Sequence, residues 1–197
     1  MEAIRCLNET DLLPSNNNLV DGNISCDTES TNIKNIFNNK HVLLDHWTLW
    51  AHLPHDTDWS VASYKKIFTF NSMEEAIALC ETLPDKMIKN CMLFLMREGI
   101  HPTWEDVKNR NGGCFSYKIS NKNILNAWKQ LSYTLVGETV TSNVNLMSDI
   151  NGITISPKKN FCIIKIWIQN CIWQNPKLIN DFDAITSHGC RFKRHIA

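Results

Sequence analysis

Residues 101–113, HPTWEDVKNRNGG, set the indole of Trp104 against two carboxylates, Glu105 and Asp106, followed by a basic stretch and a double glycine. A buried tryptophan does not need acidic neighbours, and a solvated acidic loop does not need a tryptophan. Together they suit a flat, electron-poor ligand with hydrogen-bond donors along its edge. The indole face attracts such a ring, and a carboxylate accepts from the edge. A second indole, Trp59, stands in the polar turn segment LPHDTDWSV, where a large apolar ring is equally unexpected. Two loop indoles on one face of a sheet would clamp a planar ring between them.

The elements that must hold these loops can be read from hydrophobic periodicity. Residues 1–40 are rich in Asn, Ser, Thr and Asp and are expected to form a flexible N-terminal tail, with EAIRCLNETDLL as a short helix only on a partner. From His41 to residue 197 the pattern is that of one folded domain. HVLLDHWTLWAHL alternates, with Trp47, Leu49, Ala51 and Leu53 on one face and His46, Thr48, Trp50 and His52 on the other, which predicts a strand. Ser72 and Glu75 form a capping box for a helix that Pro84 closes. NCMLFLMREG and GGCFSYKIS read as strands, the first running into a turn at Gly99. Ile124, Trp128, Leu131 and Leu135 recur at helical spacing, with Gly137 as the expected C-terminal cap. GITIS, PKKN and FCIIKIWI predict a hairpin. Strands dominate without strict alternation with helices, so the class is α+β with an antiparallel sheet.

Composition narrows the function classes. Lys+Arg and Asp+Glu are both 20, so a grip on nucleic acid must be local, at an end or a single nucleotide, rather than a general hold on phosphates. The 8 cysteines, Cys6, Cys26, Cys80, Cys91, Cys114, Cys162, Cys171 and Cys190, contain no C-x-x-C pair. With no signal peptide read at the start, they are expected to be reduced thiols of a cytoplasmic protein. Pro54 lies between His52 and His55 and breaks the helix that would align them on a metal, so no metal and no cofactor is expected. No apolar run approaches the roughly 20 residues that cross a bilayer. Two other readings use the same residues. One is a thiol hydrolase built on Cys114 and His101, which lacks an orienting third group. The other is an aromatic cage for methylated lysine, which Glu105 would also suit.

The collinear blocks HWTLWAHL, Trp59, GIHPTWEDVKNRNGG, LVGE and IKIW resemble the eukaryotic translation initiation factor 4E family, proteins that bind the 5′ cap of messenger RNA. The resemblance covers roughly residues 41–197. It implies a single curved antiparallel β-sheet with helices packed on the convex face and the cap site on the concave face. It implies a non-enzymatic, monomeric binder of capped mRNA that promotes initiation. Trp59 and Trp104 would sandwich the methylated base, Glu105 would read its edge, and Trp167 would touch the methyl group. Trp47 together with Trp59 resembles the initiating class of the family more than its repressor class.

The resemblance is incomplete at the cap phosphates. Of three cations the family commonly supplies, one position holds Cys114 and another Ile163, leaving Lys158 with Lys159 beside it in the hairpin turn. Lys165, two residues from both Ile163 and Trp167, shares their strand face and is the expected substitute, with Arg191, Lys193 and Arg194 from the C-terminus. The surface for a scaffold of the 4G type also departs. His41 is followed by Val42 rather than Pro, Ile77 stands for a Trp in the helix that Met73 opens, and Lys129 and Gln130 stand for a Leu-Glu pair. A cap-holding repressor or decoy that does not recruit the usual scaffold is therefore the alternative. The segment after Trp167 is also shorter than in the family, leaving room for about two helical turns and predicting a more open phosphate channel.

Overall fold

The computed structural model describes residues 40–195. The sequence expectation of a tail over residues 1–40 falls almost wholly outside them, as do Cys6 and Cys26. In chain order the strands are β1 (Val42–His52), β2 (Lys65–Ser72), β3 (Met92–Arg97), β4 (Gly113–Ser120), β5 (Ile150–Pro157), β6 (Phe161–Ile168) and β7 (Arg191–Arg194). The helices are α1 (Met73–Thr82), α2 (Asp85–Asn90), α3 (Ile124–Val136) and α4 (Val144–Asp149). The strands form one curved antiparallel sheet of seven, in the order β2-β1-β3-β5-β6-β4-β7.

Strand alternation divides the apolar side chains between two faces. Trp47, Leu49 and Ala51 of β1 join Leu93, Leu95, Phe115, Ile153 and Ile166 in the main core, which the helices cover with Ala76, Ile88, Ile124, Trp128, Leu131 and Leu135. The four residues expected on the apolar stripe of α3 are all at most 2% exposed. The opposite, concave face carries a second cluster: Phe94, Met96, Ile100 and Trp167, packed by Trp50, Tyr64 and Met92. None of the described helices is long and apolar enough to cross a membrane. The six described cysteines are all free thiols.

Ser72 caps α1 as its spacing predicts, its hydroxyl accepting from Glu75 N at 3.4 Å. The return bond of the box goes one residue further back, with Asn71 N donating to the Glu75 carboxylate at 3.3 Å. Ser72→Ala is expected to cost about 1 kcal/mol and lower the melting temperature by about 2–4 °C in a thermal melt. Gly137 caps the end of α3, as its position predicts, without taking the left-handed conformation itself. Gly137 has φ −83°, and the left-handed residue is Glu138 at φ 54°. The backbone closes around Glu138, its N donating to Leu135 O at 3.1 Å and Thr139 N to Thr134 O at 2.8 Å, while its Oε2 accepts from Arg97 Nη2 at 3.0 Å. Arg97 also donates to the carbonyls of Ile150 (2.8 Å) and Met147 (3.2 Å), pairs with Asp45, and lies over the Trp47 ring at 4.7 Å.

Two helices escape the sequence reading. Pro84 closes α1 but also serves as the N-cap of α2, and Asn143 caps the short α4, its side chain accepting from Leu146 N at 3.1 Å. Between Trp167 and β7 the described chain forms only a 3-10 turn (Pro176–Leu178) and an isolated bridge between Phe182 and Ile185.

Candidate functional site

Trp59 comes after β1 in a turn that the neighbouring acids hold. Asp56 Oδ1 accepts from Asp58 N at 3.0 Å, and the Asp58 carboxylate accepts from both the N and the Oγ of Ser60 at 2.8 Å. Those bonds, the backbone one first, hold the Asp58 carboxyl below its ordinary value. Beneath the turn, the buried His52 donates from Nε2 to the Asp58 carbonyl at 2.8 Å and lies parallel to the Trp59 ring, 4.1 Å away with 5° between planes. One face of the indole thus rests on the protein. The residue as a whole stays 57% exposed. The histidine pair considered for metal binding is split: His52 serves this contact, and His55 occupies a left-handed turn position at φ 71°.

The loop bearing Trp104 is knitted from within. Asp106 accepts from His101 N at 2.9 Å and Lys108 N at 2.8 Å, so this carboxylate shapes the loop. Asn109, fully buried, donates to the carbonyls of His101 (3.0 Å) and Thr103 (2.7 Å). Asn151 of β5 donates to Lys108 O and Asn109 Oδ1. At the C-terminus, His195 N donates to Gly112 O at 3.0 Å and His195 Nδ1 to Asn109 O at 2.7 Å. The double glycine is required by close approach: a Cβ on Gly112 would run into the Ile168 carbonyl, and one on Gly113 would sit 2.6 Å from the Lys193 carbonyl and the Phe192 ring. Pinned in this way, the loop leaves Trp104 42% exposed and Glu105 outward.

The two loops meet over one cavity of about 250 Å³, lined by Trp59, Tyr64, Phe94, Trp104, Glu105, Lys165 and Trp167 among others. Among the described residues the Glu105 carboxylate accepts no hydrogen bond, so its lone pairs are open to a ligand. Its charge contributes, after burial, to raising the Tyr64 phenol above its ordinary value. Trp167 is only 6% exposed, its Nε1 donating to Thr154 Oγ1 at 2.7 Å, so it can offer the cavity no more than a small part of its ring.

Beyond Trp104 and Trp167 lies a second cavity of about 280 Å³, lined also by Cys114, Lys165, Lys193, Arg194 and His195. Here β4 explains how cations arrive where Cys114 has none. Cys114 pairs with Lys193 on one side and Trp167 on the other, and Ser116 pairs with Arg191 and Lys165. Directly opposed residues of neighbouring antiparallel strands stand about 5 Å apart on one face, so Lys193 stands beside the position that Cys114 vacates. The His195 ring packs at 4.8 Å from Trp167, and burial, then Lys165 and Lys193, push its pKa down against the opposing Asn109 bond. Of the cations singled out in the sequence, Lys165, Lys193 and Arg194 line these cavities. Arg191 lies beside them on β7, and Lys158 and Lys159 stand in the β5–β6 turn, off both cavities. His101 packs against Trp50 at 5.6 Å, whereas the Cys114 thiol contacts Ser116 Oγ at 3.6 Å, so no Cys-His pair is assembled. His52, Tyr64, Phe94 and His195 are contributors that sequence reasoning missed; no local signal marks them.

On the convex face, Ile77 is 46% exposed and Val42 73%. His41 is tied to Glu74 (Nδ1 to Oε1, 2.7 Å), and its carbonyl accepts from Met73 N at 2.9 Å. Lys129 pairs with Glu81 at 2.6 Å, and Tyr133 OH donates to the same carboxylate at 2.8 Å.

Comparison with known proteins places these features in a family. The model for eukaryotic initiation factor 4E matches residues 42–194. Eukaryotic translation initiation factor 4E-2 of Schizosaccharomyces pombe is 30% identical over 173 residues, covering 83% of this chain and 65% of that protein. The Candida albicans factor 4E is 30% identical over 148 residues, 70% of this chain and 69% of that protein. Among solved structures, a complex of C. elegans eIF4E-3 with the 4E-binding protein Mextli and a cap analog superposes with a TM-score of 0.61 at 22% identity, covering 68% of this chain and 77% of that one. The chain thus spans about two thirds of the length of the curated relatives it matches, and the match to the family model runs from the first strand to the last: the chain belongs to the eukaryotic initiation factor 4E family.

Proposed function

We propose that this protein binds the 7-methylguanosine 5′ cap of mRNA in the cytoplasm and promotes translation initiation, with no chemistry of its own. The observation that carries this reading is the single cavity to which Trp59, Trp104 and Glu105 all contribute. Methylation gives the guanine ring a positive charge, which strengthens stacking on indole faces; the two tryptophans would sandwich it. Glu105 would accept both donors of the base's Watson–Crick edge, its charge matching the ring. A backbone N–H of Trp104 or Glu105 would bind the base carbonyl, and Trp167 would meet the methyl group. In the second cavity Lys165, Lys193 and Arg194 would hold the triphosphate, with Arg191, Lys158 and Lys159 contributing charge from beside it. The family membership and the cap analog in the C. elegans complex support this reading.

The test is retention on an immobilised 7-methylguanosine triphosphate resin, with elution by methylated but not by unmethylated guanosine triphosphate. Absence of retention overturns the proposal. Lys165→Ala is expected to weaken binding of the same nucleotide about tenfold, roughly the loss of one charge-assisted hydrogen bond, and to flatten its salt dependence. An unchanged salt dependence removes Lys165 from the phosphate site.

A second reading, a cap-holding repressor or decoy, is favoured by the convex face. Ile77 offers less apolar area than a Trp would, and Lys129 is committed to Glu81. An amphipathic helical peptide of the 4G type titrated against the protein distinguishes the two: tight binding supports the initiator, no binding the decoy.

A further inference from the structure

The concave side of β5, β6, β4 and β7 is charged in one sense only. Their sequences contain no Asp or Glu, whereas Lys118, Lys165, Arg191, Lys193 and Arg194 all lie on them. None of these five cations has a carboxylate partner among the described residues, in a chain whose formal charge is zero. The acids cluster elsewhere, with Glu74, Glu81, Asp85 and Glu138 on or beside the helices. Part of this face lies beyond the two cavities. Lys118 pairs with Ile163, one two-residue step along the strands from the Ser116–Lys165 pair, and Ser120 pairs with Phe161 one step further. Each step is about 7 Å, comparable to the spacing of successive nucleotides in an extended strand. The half-buried Phe161 ring carries the Lys118 ammonium over its face at 4.4 Å. Lys158 and Lys159 continue the line in the turn that precedes Phe161.

We infer that this strip binds the single-stranded RNA immediately downstream of the cap, an inference that rests on the cap reading above. Basic residues interleaved with a half-buried aromatic make a sequence-tolerant track: cations hold successive phosphates and the open part of the ring stacks a base. Lys118 sits over Phe161 when no RNA is bound. It swings to a phosphate when a base takes its place on the ring, so the two residues act as one subsite. Lys118 and Ser120 are exposed along this path.

The experiment compares 7-methylguanosine triphosphate with a capped, unstructured RNA about ten nucleotides long, each titrated at several salt concentrations. The capped RNA is expected to bind more tightly and with a steeper salt slope. Lys118→Ala should lower that slope by about 0.7, one single-strand phosphate contact. Phe161→Leu should reduce the RNA's advantage several-fold. Both variants should bind the free nucleotide as the unsubstituted protein does, which also shows that they are folded. Equal affinity for the two ligands, or variants that leave the difference intact, overturns the track while leaving the cap site standing. Failure of the unsubstituted protein to bind the free nucleotide overturns the cap reading itself.

Discussion

Trp104→Ala is expected to weaken binding of 7-methylguanosine triphosphate by about 2–4 kcal/mol, roughly thirty- to a thousandfold, in a titration of the remaining indole fluorescence. Stacking accounts for about 1–3 kcal/mol of this and the cation–ring attraction for about 0.5–2. The loop should survive the change, because its shape comes from Asp106, Asn109, Asn151 and His195 and not from the indole. Unmethylated guanosine triphosphate should lose much less, since its ring is neutral. Trp59→Ala is expected to fall in the same direction and slightly less far, because its removal exposes the His52 ring, which can still offer a stacking face. Equal losses for methylated and unmethylated nucleotides would show that Trp104 is not reading the charge.

The largest expected effect on folding lies at Arg97. Its side chain is 13% exposed, pairs with Glu138 and Asp45, and donates to the carbonyls of Ile150 and Met147. Arg97→Ala strands the 19%-exposed Glu138 carboxylate and leaves both carbonyls without this donor. Breaking a mostly buried pair from one side costs about 3–5 kcal/mol, or about 6–20 °C of melting temperature in a chain of this size. Arg97→Lys should recover only part of it, since an ammonium cannot span four acceptors on a planar fork. A calorimetric melt checks both.

Five of the seven strands and the long helix are legible because their burial patterns are local, whereas the edge strands β2 and β7 carry no such pattern and go unread. Trp47, Leu49 and Ala51 had to face one way, and Ile124, Trp128, Leu131 and Leu135 had to line one stripe. Trp59 and Trp104 stood out because each is a large ring in a polar segment, and both are exposed at one cavity. What escaped depends on distance along the chain. The bond between His195 and Asn109 spans 86 residues, and nothing near either predicts it. The strand position of His52 follows from alternation, but its stack under Trp59 depends on how a turn folds back. The contact of Glu138, the left-handed residue after Gly137, with Arg97 spans 41 positions and is equally invisible locally. The short helices α2 and α4, of 6 residues each, are too brief for periodicity to register.

The order of the sheet has a consequence for solution behaviour. Its two margins are β2, which opens with Lys65 and Lys66, and β7, which is Arg-Phe-Lys-Arg. A free margin invites another chain to extend the ladder, and like charges on both discourage two copies from zipping together. Reversing the sign at β7 alone would make its margin attractive to β2 of a neighbour, so Lys193→Glu with Arg191→Glu should promote self-association at low ionic strength that salt reverses.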